Sequence, residues 1–215
     1  CLGSRVHEGL FFKTENFQKT GSFKFRGATA KLSSLGNDVP VITASSGNHG
    51  IACSQAAVTT GHALTVVLPE SVARAKLSKI QSFGVKTILH PGDSGRAERH
   101  ARTLAEEAGF TYVSPYNDPE IIAGQGTIGI EMLAQLSQVD NVFISLGGGG
   151  LVSGGGAVLK IANPHVRVFG VSALHSAALA ASIRAGKIME TEHLETPADG
   201  CAGGVDALRS RRRIS

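Results

Sequence analysis

From residue 39 onward, short apolar runs rich in β-branched residues alternate with longer segments of helical periodicity. Strands are predicted at residues 39–43, 63–68, 85–89, 141–145 and 166–171. Helices are predicted at residues 48–58, 71–82, 94–108, 119–136, 151–161 and 175–185. Strand–helix repeats of this kind build parallel sheets, because a parallel neighbour is reached only through a long crossover connection. The sequence therefore predicts an α/β fold.

Local signals set the expected ends of these elements. Ser71 and Ser94 stand where helix-capping side chains belong, because a hydroxyl there can accept from the free N–H groups of the first turn. Helix ends are expected at Gly61, Gly84, Gly109 and Gly186. Ahead of the repeats, residues 10–13 are predicted as a strand and residues 23–35 as a helix that carries Lys24 near its start.

The composition excludes several classes of protein. The 215 residues are 42% apolar and 18% charged, which is typical of a globular chain and not of a disordered one. The net charge of +4 equals the four arginines found at positions 209 and 211–213, so nucleic-acid binding is not expected. No apolar run approaches the roughly 20 residues that cross a bilayer, and no secretory signal is recognisable at the amino end. We therefore expect a soluble protein.

The cysteines and the two ends of the chain add further expectations. Cys1, Cys53 and Cys201 have no close metal-type spacing and cannot all pair with one another, which favours a reducing, cytoplasmic setting. The chain begins without Met and stops in an arginine-rich stretch. We therefore expect sequence to be missing at both ends.

Four consecutive glycines, residues 147–150, follow a predicted strand and precede a predicted helix. Free backbone N–H groups and the helix dipole favour an anion such as phosphate at this place. A P-loop is excluded because no Lys follows until Lys160, and a dinucleotide site is disfavoured because Ser172 stands where an acidic residue is needed. A tight turn with close backbone packing is the alternative interpretation.

A second unusual loop, residues 44–50, gathers hydroxyl, amide and imidazole groups at another helix start. Ser45, Ser46, Asn48 and His49 could bind a carboxylate or a phenolic oxygen. Helix capping by Ser46 or Asn48 is the alternative. The pattern Gly-x-Ser-x-Gly is absent around both serines, so a nucleophile elbow is excluded.

Lys24 lies between Phe23 and Phe25 in a run of small and aromatic residues. A lysine is usually a solvated surface charge. Partial burial among aromatic side chains would instead lower its pKa and make its amine competent to form a Schiff base.

These segments together resemble the fold type II, or tryptophan-synthase-like, pyridoxal-phosphate enzymes, in the branch of threonine dehydratases and serine racemases. The resemblance covers about residues 10–206. Its motifs are Phe17-Gln18-Lys19-Thr20-Gly21-Ser22-Phe23-Lys24, Ser45-Ser46-Gly47-Asn48-His49-Gly50, Ala123-Gly124-Gln125-Gly126-Thr127 and Gly147-Gly148-Gly149-Gly150-Leu151.

The resemblance implies a cofactor, pyridoxal 5′-phosphate, and a role for each matched residue. Lys24 would form the Schiff base, and Asn48 would hydrogen-bond the phenolic oxygen. Ser46 would carry a proton on the face opposite Lys24, as in racemases. The phosphate would be held by Gly147, Gly148, Gly149, Gly150 and Leu151, with Gly200 near the ring, and the substrate would be bound by Ser45, Ser46, Asn48 and His49.

The resemblance also implies an architecture of two α/β domains with the active site in the cleft between them. The smaller, substrate-binding domain would comprise residues 39–115, and the larger, cofactor-binding domain residues 1–38 and 116–215. The racemase branch binds a divalent cation through acidic residues after the strand at 166–171, but Ser172 and Ala178 occupy those places, so no metal site is predicted. The family's segment that faces the pyridine nitrogen would lie beyond residue 215.

The expected reaction is the conversion of L-threonine or L-serine to a 2-oxo acid and ammonia, by a lyase that is a homodimer at full length. No nucleic-acid or membrane partner is expected. Two alternatives stay open at this point: an amino-acid racemase of the serine racemase type, and a catalytically inactive truncated module for binding or assembly.

Overall fold

A computed structural model gives the fold of the chain and describes residues 9–189, 191, 196, 198 and 200. Within these residues the strands are β1 (Val41–Ala44), β2 (Leu64–Pro69), β3 (Lys86–His90), β4 (Thr111–Tyr112), β5 (Asn141–Ser145) and β6 (Arg167–Val171). The helices are α1 (Lys24–Ser33), α2 (Asn48–Thr60), α3 (Arg74–Gln81), α4 (Ser94–Ala108), α5 (Pro119–Gln135), α6 (Gly150–Ala162) and α7 (Ala178–Ala185), preceded by a short 3-10 helix, Glu15–Phe17. The predicted α/β class is confirmed.

Four parallel strands form the first sheet, in the order β3-β2-β1-β4. Side chains alternate between its two faces, as the two-residue period of a strand requires. Val41 and Val66 contribute to a core shared with α1 and α2, whereas Ile42 and Val67 pack with the alanines of α4 on the other face. The two central strands, β1 and β2, are therefore buried on both faces, which explains the near-continuous apolar character of β2.

The second sheet consists of β5 and β6, which pair in parallel from Asn141 and Arg167 onward. One face packs on α6, through a core that contains Val142, Leu159 and Val166. In the described part of the chain the opposite face is open to solvent.

Helices α1, α5 and α6 pack side by side, and glycines allow their backbones to approach. A Cβ atom at Gly124 would lie 2.6 Å from the Cα of Gly27, and one at Gly154 would lie 2.2 Å from the carbonyl oxygen of Ile122. Because α1 begins at Lys24 and α6 begins at Gly150, this packing fixes the start of one helix relative to the start of the other.

Several local predictions were wrong. Residues 10–13 form no strand, because no neighbouring strand pairs with them in the described structure. Helix α3 begins at Arg74 with Ala73 as its N-cap, so Ser71 does not cap it. Helix α4 is capped one residue before the predicted Ser94, by Asp93, whose carboxylate accepts from the Arg96 N–H.

The glycine signals were more reliable. Gly61, Gly109 and Gly186 adopt left-handed backbone conformations at the ends of α2, α4 and α7, as predicted. Gly84 is also left-handed, but it lies beyond Ser82, the C-cap of α3. Among the described residues, no helix is long and apolar enough to cross a membrane. The division into domains at residues 39–115 stays a prediction.

Candidate active site

Lys24 is the first residue of α1, and its side chain is partly buried. Nζ donates a hydrogen bond of 2.6 Å to the carbonyl oxygen of Pro115 and lies 5.2 Å from the ring centroid of Phe23. Burial lowers the pKa of Lys24 from 10.5 to about 8, against a smaller raising effect from Cys53. A buried amine with this pKa is neutral for about half of the time at pH 8, so it can act as a nucleophile or a base.

The loop that precedes α2 contains no side-chain cap. The helix begins at Asn48 with Gly47 as its N-cap, and neither Ser46 nor Asn48 accepts from the first turn. Ser45 Oγ instead accepts from the Gly47 N–H at 3.2 Å. The capping interpretation of this loop is therefore not supported, and the N–H groups of the first turn stay available to a ligand.

Two side chains of this loop have polar groups available to a ligand. Asn48 is exposed and Ser46 half-buried, and neither side chain hydrogen-bonds to any residue that the structure describes. A Cβ atom at Gly200 would lie 3.5 Å from Asn48 Nδ2, so the structure brings together two of the residues predicted to contact the cofactor.

His49 is placed differently from what its predicted role suggests. Its imidazole is only 3% exposed, and Nε2 donates to the carbonyl oxygen of Val113 at 3.1 Å. Burial, followed by the charge of Lys24, lowers the pKa of His49 to about 3. The ring is therefore neutral and directed into the core, and only the backbone N–H of His49 is left as a candidate contact for a carboxylate.

The glycine loop starts α6 as predicted. The helix begins at Gly150, and its N-cap is Gly149, whose φ of 91° is a conformation that other residues rarely adopt. Within the described chain, the N–H groups of Gly147, Gly148 and Gly149 donate to no acceptor. By contrast, α4 and α5 satisfy their own first turns through Asp93 and Asp118. Leu151 follows as the second residue of α6.

Tyr116 packs against the glycine loop, a contact that the sequence does not predict. A Cβ atom at Gly148 would lie 2.4 Å from the Tyr116 ring, and one at Gly150 would lie 3.0 Å from the Tyr116 Cα. The absence of side chains at these two positions therefore leaves room for Tyr116, and it would also let a phosphate approach the backbone of the loop. No feature of the sequence indicates this contact, because Tyr116 lies far from the loop along the chain.

Residues 113–116 connect the three parts of the candidate site. Val113 receives the hydrogen bond of His49, beside the Asn48 loop. The carbonyl oxygen of Pro115 accepts the hydrogen bond from the amine of Lys24, and Tyr116 packs on the glycine loop. The structure thus brings Lys24 together with both helix starts, around one short segment that follows β4.

The matching family model is that of pyridoxal-phosphate-dependent enzymes, and it covers residues 2–214. The chain belongs to this family. The L-threonine ammonia-lyase of Thermotoga maritima is 39% identical over 90% of this chain. Threonine deaminase isoform 2 from Solanum lycopersicum, in its processed form, has a TM-score of 0.89 at 33% identity over 95% of the chain. Maize serine racemase has a TM-score of 0.85 at 33% identity over 91%.

The chain is shorter than these relatives. It spans 49% of the Thermotoga maritima protein. It spans 61% of the Solanum lycopersicum chain and 60% of the maize chain.

The site residues fit the cofactor of the family. Pyridoxal phosphate needs an amine that is partly neutral, donors for a phosphate and a donor for a phenolic oxygen. Lys24 has a buried amine with a lowered pKa. Residues 147–149 offer N–H groups without an acceptor in the described chain, and Asn48 offers an exposed amide. The donor set therefore agrees with the family to which the chain belongs.

Proposed function

We propose that this chain binds pyridoxal phosphate through Lys24 and that the protein it forms removes water from L-threonine or L-serine, giving a 2-oxo acid and ammonia. The observation that carries the proposal is the partly buried amine of Lys24, which is hydrogen-bonded to Pro115 beside two helix starts with free N–H groups. Relatives named threonine ammonia-lyase and threonine deaminase support the choice of reaction.

Lys24 has two tasks in this proposal. Its neutral amine would hold the cofactor. Once the amino group of the substrate has taken its place, the freed amine would remove the proton from the α-carbon of the substrate. Both tasks require the unprotonated form, which the lowered pKa of about 8 favours. When bound, pyridoxal phosphate supplies an electron sink for the charge that develops at this α-carbon.

The two helix starts would hold the cofactor and the substrate. The N–H groups of Gly147, Gly148 and Gly149 are assigned to the phosphate, helped by the dipole of α6. The Asn48 amide is assigned to the phenolic oxygen. The substrate carboxylate is assigned to Ser45, Ser46 and the free N–H groups at the start of α2.

Racemisation is the second candidate function, and Ser46 is the observation that favours it. Its hydroxyl has no hydrogen-bond partner among the residues that the structure describes. A hydroxyl opposite Lys24 could return a proton to the α-carbon from the other side and so invert it. The likeness to maize serine racemase agrees with this activity.

The remaining parts of the proposal concern the setting of the enzyme. We assign it to the cytoplasm, because Cys53 is a free buried thiol. We also propose that the protein is a homodimer. Its small amino-acid substrate would bind in a cleft between the two domains. No structural metal is included in it.

The direct test is an activity assay on the native protein that contains this chain. Formation of 2-oxo acid from L-threonine and from L-serine is measured with pyridoxal phosphate present. Lys24→Ala is expected to lower the rate by about 100-fold or more, because a positioned base contributes about 10²–10⁴-fold. Lys19→Ala, at an exposed lysine of the same motif, serves as the control. Equal rates for the two variants would refute the role of Lys24.

A further inference from the structure

Residues 113–116 touch every part of the candidate site, so the contacts that hold this segment decide where the amine of Lys24 lies. The segment follows β4, an edge strand in which only Thr111 and Tyr112 pair with β1. The last hydrogen bond to the sheet runs from the Val113 N–H to the Ile42 carbonyl at 2.8 Å. The sheet alone therefore holds the segment at one end.

Two buried side chains also donate hydrogen bonds to the carbonyl oxygen of Val113. Thr43 Oγ1 donates to it at 2.8 Å, and His49 Nε2 donates to it at 3.1 Å. Thr43 is fully buried, and His49 is 3% exposed. A carbonyl oxygen has two lone pairs, so these two donors satisfy it completely. Two residues further along, the Pro115 carbonyl accepts from Lys24.

The tautomer of His49 follows from this contact. A carbonyl can only accept, so Nε2 must carry the proton, and Nδ1 is then an acceptor. Cys53 Sγ, one helical turn later, lies 3.5 Å from Nε2 and 3.8 Å from Nδ1, so its thiol can donate to Nδ1. Burial raises the pKa of Cys53 to about 12 and lowers that of His49 to about 3, so both groups are neutral beside Lys24.

We propose that His49 and Thr43 are positioning residues for Lys24: by clamping the Val113 carbonyl, they place the Pro115 carbonyl at the Lys24 amine. This inference rests on the proposed function of Lys24. It assigns the imidazole of His49 a task away from the substrate. His49 donates one fixed hydrogen bond and exchanges no proton during the reaction.

The test compares two replacements of His49 in the full chain. His49→Gln keeps an N–H donor within reach of the Val113 carbonyl, whereas His49→Leu keeps the bulk and removes the donor. Ser54→Ala is the matched control, because Ser54 is also buried in α2 and its hydroxyl bonds to the Gly50 carbonyl, away from Val113. Thr43→Val removes the other donor and replaces His49→Leu if that variant does not fold.

Two quantities are measured for each variant. The first is the amount of pyridoxyl label fixed on Lys24 by borohydride at a limiting concentration of pyridoxal phosphate. The second is the backbone hydrogen exchange of residues 113–117 without cofactor. His49→Leu is expected to lower the label and to speed the exchange by at least about fivefold each, since a buried hydrogen bond is lost. His49→Gln and Ser54→Ala are expected to stay within about twofold of the parent chain, since each keeps both donors on the Val113 carbonyl.

The outcomes separate the two proposals. If His49→Gln is as impaired as His49→Leu, or if His49→Leu changes neither quantity, the positioning role is wrong. It is also wrong if the exchange changes while the label on Lys24 does not. If the parent chain itself takes no label on Lys24, the proposed function fails, and the exchange measurement alone decides whether His49 clamps the segment.

Discussion

The amine of Lys24 donates a 2.6 Å hydrogen bond to the carbonyl of Pro115, which joins the first residue of α1 to the segment that follows β4. The next residue, Tyr116, packs on Gly148 of the loop that opens α6. One short segment therefore fixes the distance between the reactive amine and the candidate phosphate site.

The pH dependence of Lys24 reactivity should reveal its burial. Burial disfavours the charged amine and lowers its pKa to about 8, so the reactive neutral form should appear more than two pH units below the ordinary lysine value of 10.5. The measurement is carbamylation of Lys24 by cyanate between pH 6 and 11, followed by mass spectrometry without cofactor. A synthetic peptide of residues 19–29 is the control. A midpoint near 10.5 in the folded chain would contradict the buried site.

Gly148 should tolerate no side chain. In Gly148→Val the new carbon atoms would overlap the Tyr116 ring, since a Cβ alone would lie 2.4 Å from it, and the glycine loop or Tyr116 must move. We expect the affinity for pyridoxal phosphate to fall at least about fivefold, as the loss of buried hydrogen bonds of about 1–3 kcal/mol implies. The measurement is a fluorescence titration with the cofactor.

Gly155→Ala is the matched control for this variant. Gly155 lies in α6, the helix that follows this loop, and a Cβ there would have only one neighbour within 4 Å, a methyl group of Ile144 at 3.9 Å. Its cofactor affinity should stay within about twofold of the parent, because a helical Gly→Ala change is neutral or stabilising where the added methyl group meets only an ordinary van der Waals contact. If both variants lose similar cofactor affinity, any added side chain in the loop or in α6 weakens binding. The contact with Tyr116 would then not explain the effect of Gly148→Val.

Ser46 should separate elimination from racemisation. Elimination needs one base at the α-carbon, whereas inversion needs a second proton carrier on the opposite face. Ser46→Ala in the native protein is expected to abolish any formation of D-serine from L-serine while sparing much of the 2-oxo acid. Both products are measured in one assay, so their ratio is the result. Persistence of D-serine, or an equal fall of both products, would leave Ser46 as a carboxylate contact only.

Much of the fold could be predicted from the sequence, because the decisive signals are local. Strand β5 was predicted at its observed bounds, and the other predicted strands of the repeats were within two residues of theirs. Left-handed Gly61, Gly109 and Gly186 end their helices because a glycine takes this conformation without a Cβ penalty. The two-residue strand β4 was missed, because so short a strand has no visible period and exists only through its pairing with β1.

The candidate site was predictable only in part. The motif around Lys24 and the two loops could be found because each has an unusual local composition. The contacts of Pro115, Tyr116 and Val113 could not be found, since they depend on how distant segments fold together. The burial of the His49 ring was also hidden, because a histidine at a helix start looks the same in sequence whether it faces solvent or the core.

The most direct measurement is the position of the covalent label after borohydride reduction of the protein with bound pyridoxal phosphate. We expect a single pyridoxyl group on the peptide that contains Lys24, which disappears in Lys24→Ala and is retained in Lys19→Ala. Label on another lysine, or unchanged label in Lys24→Ala, would contradict the assignment of Lys24 as the residue that holds the cofactor.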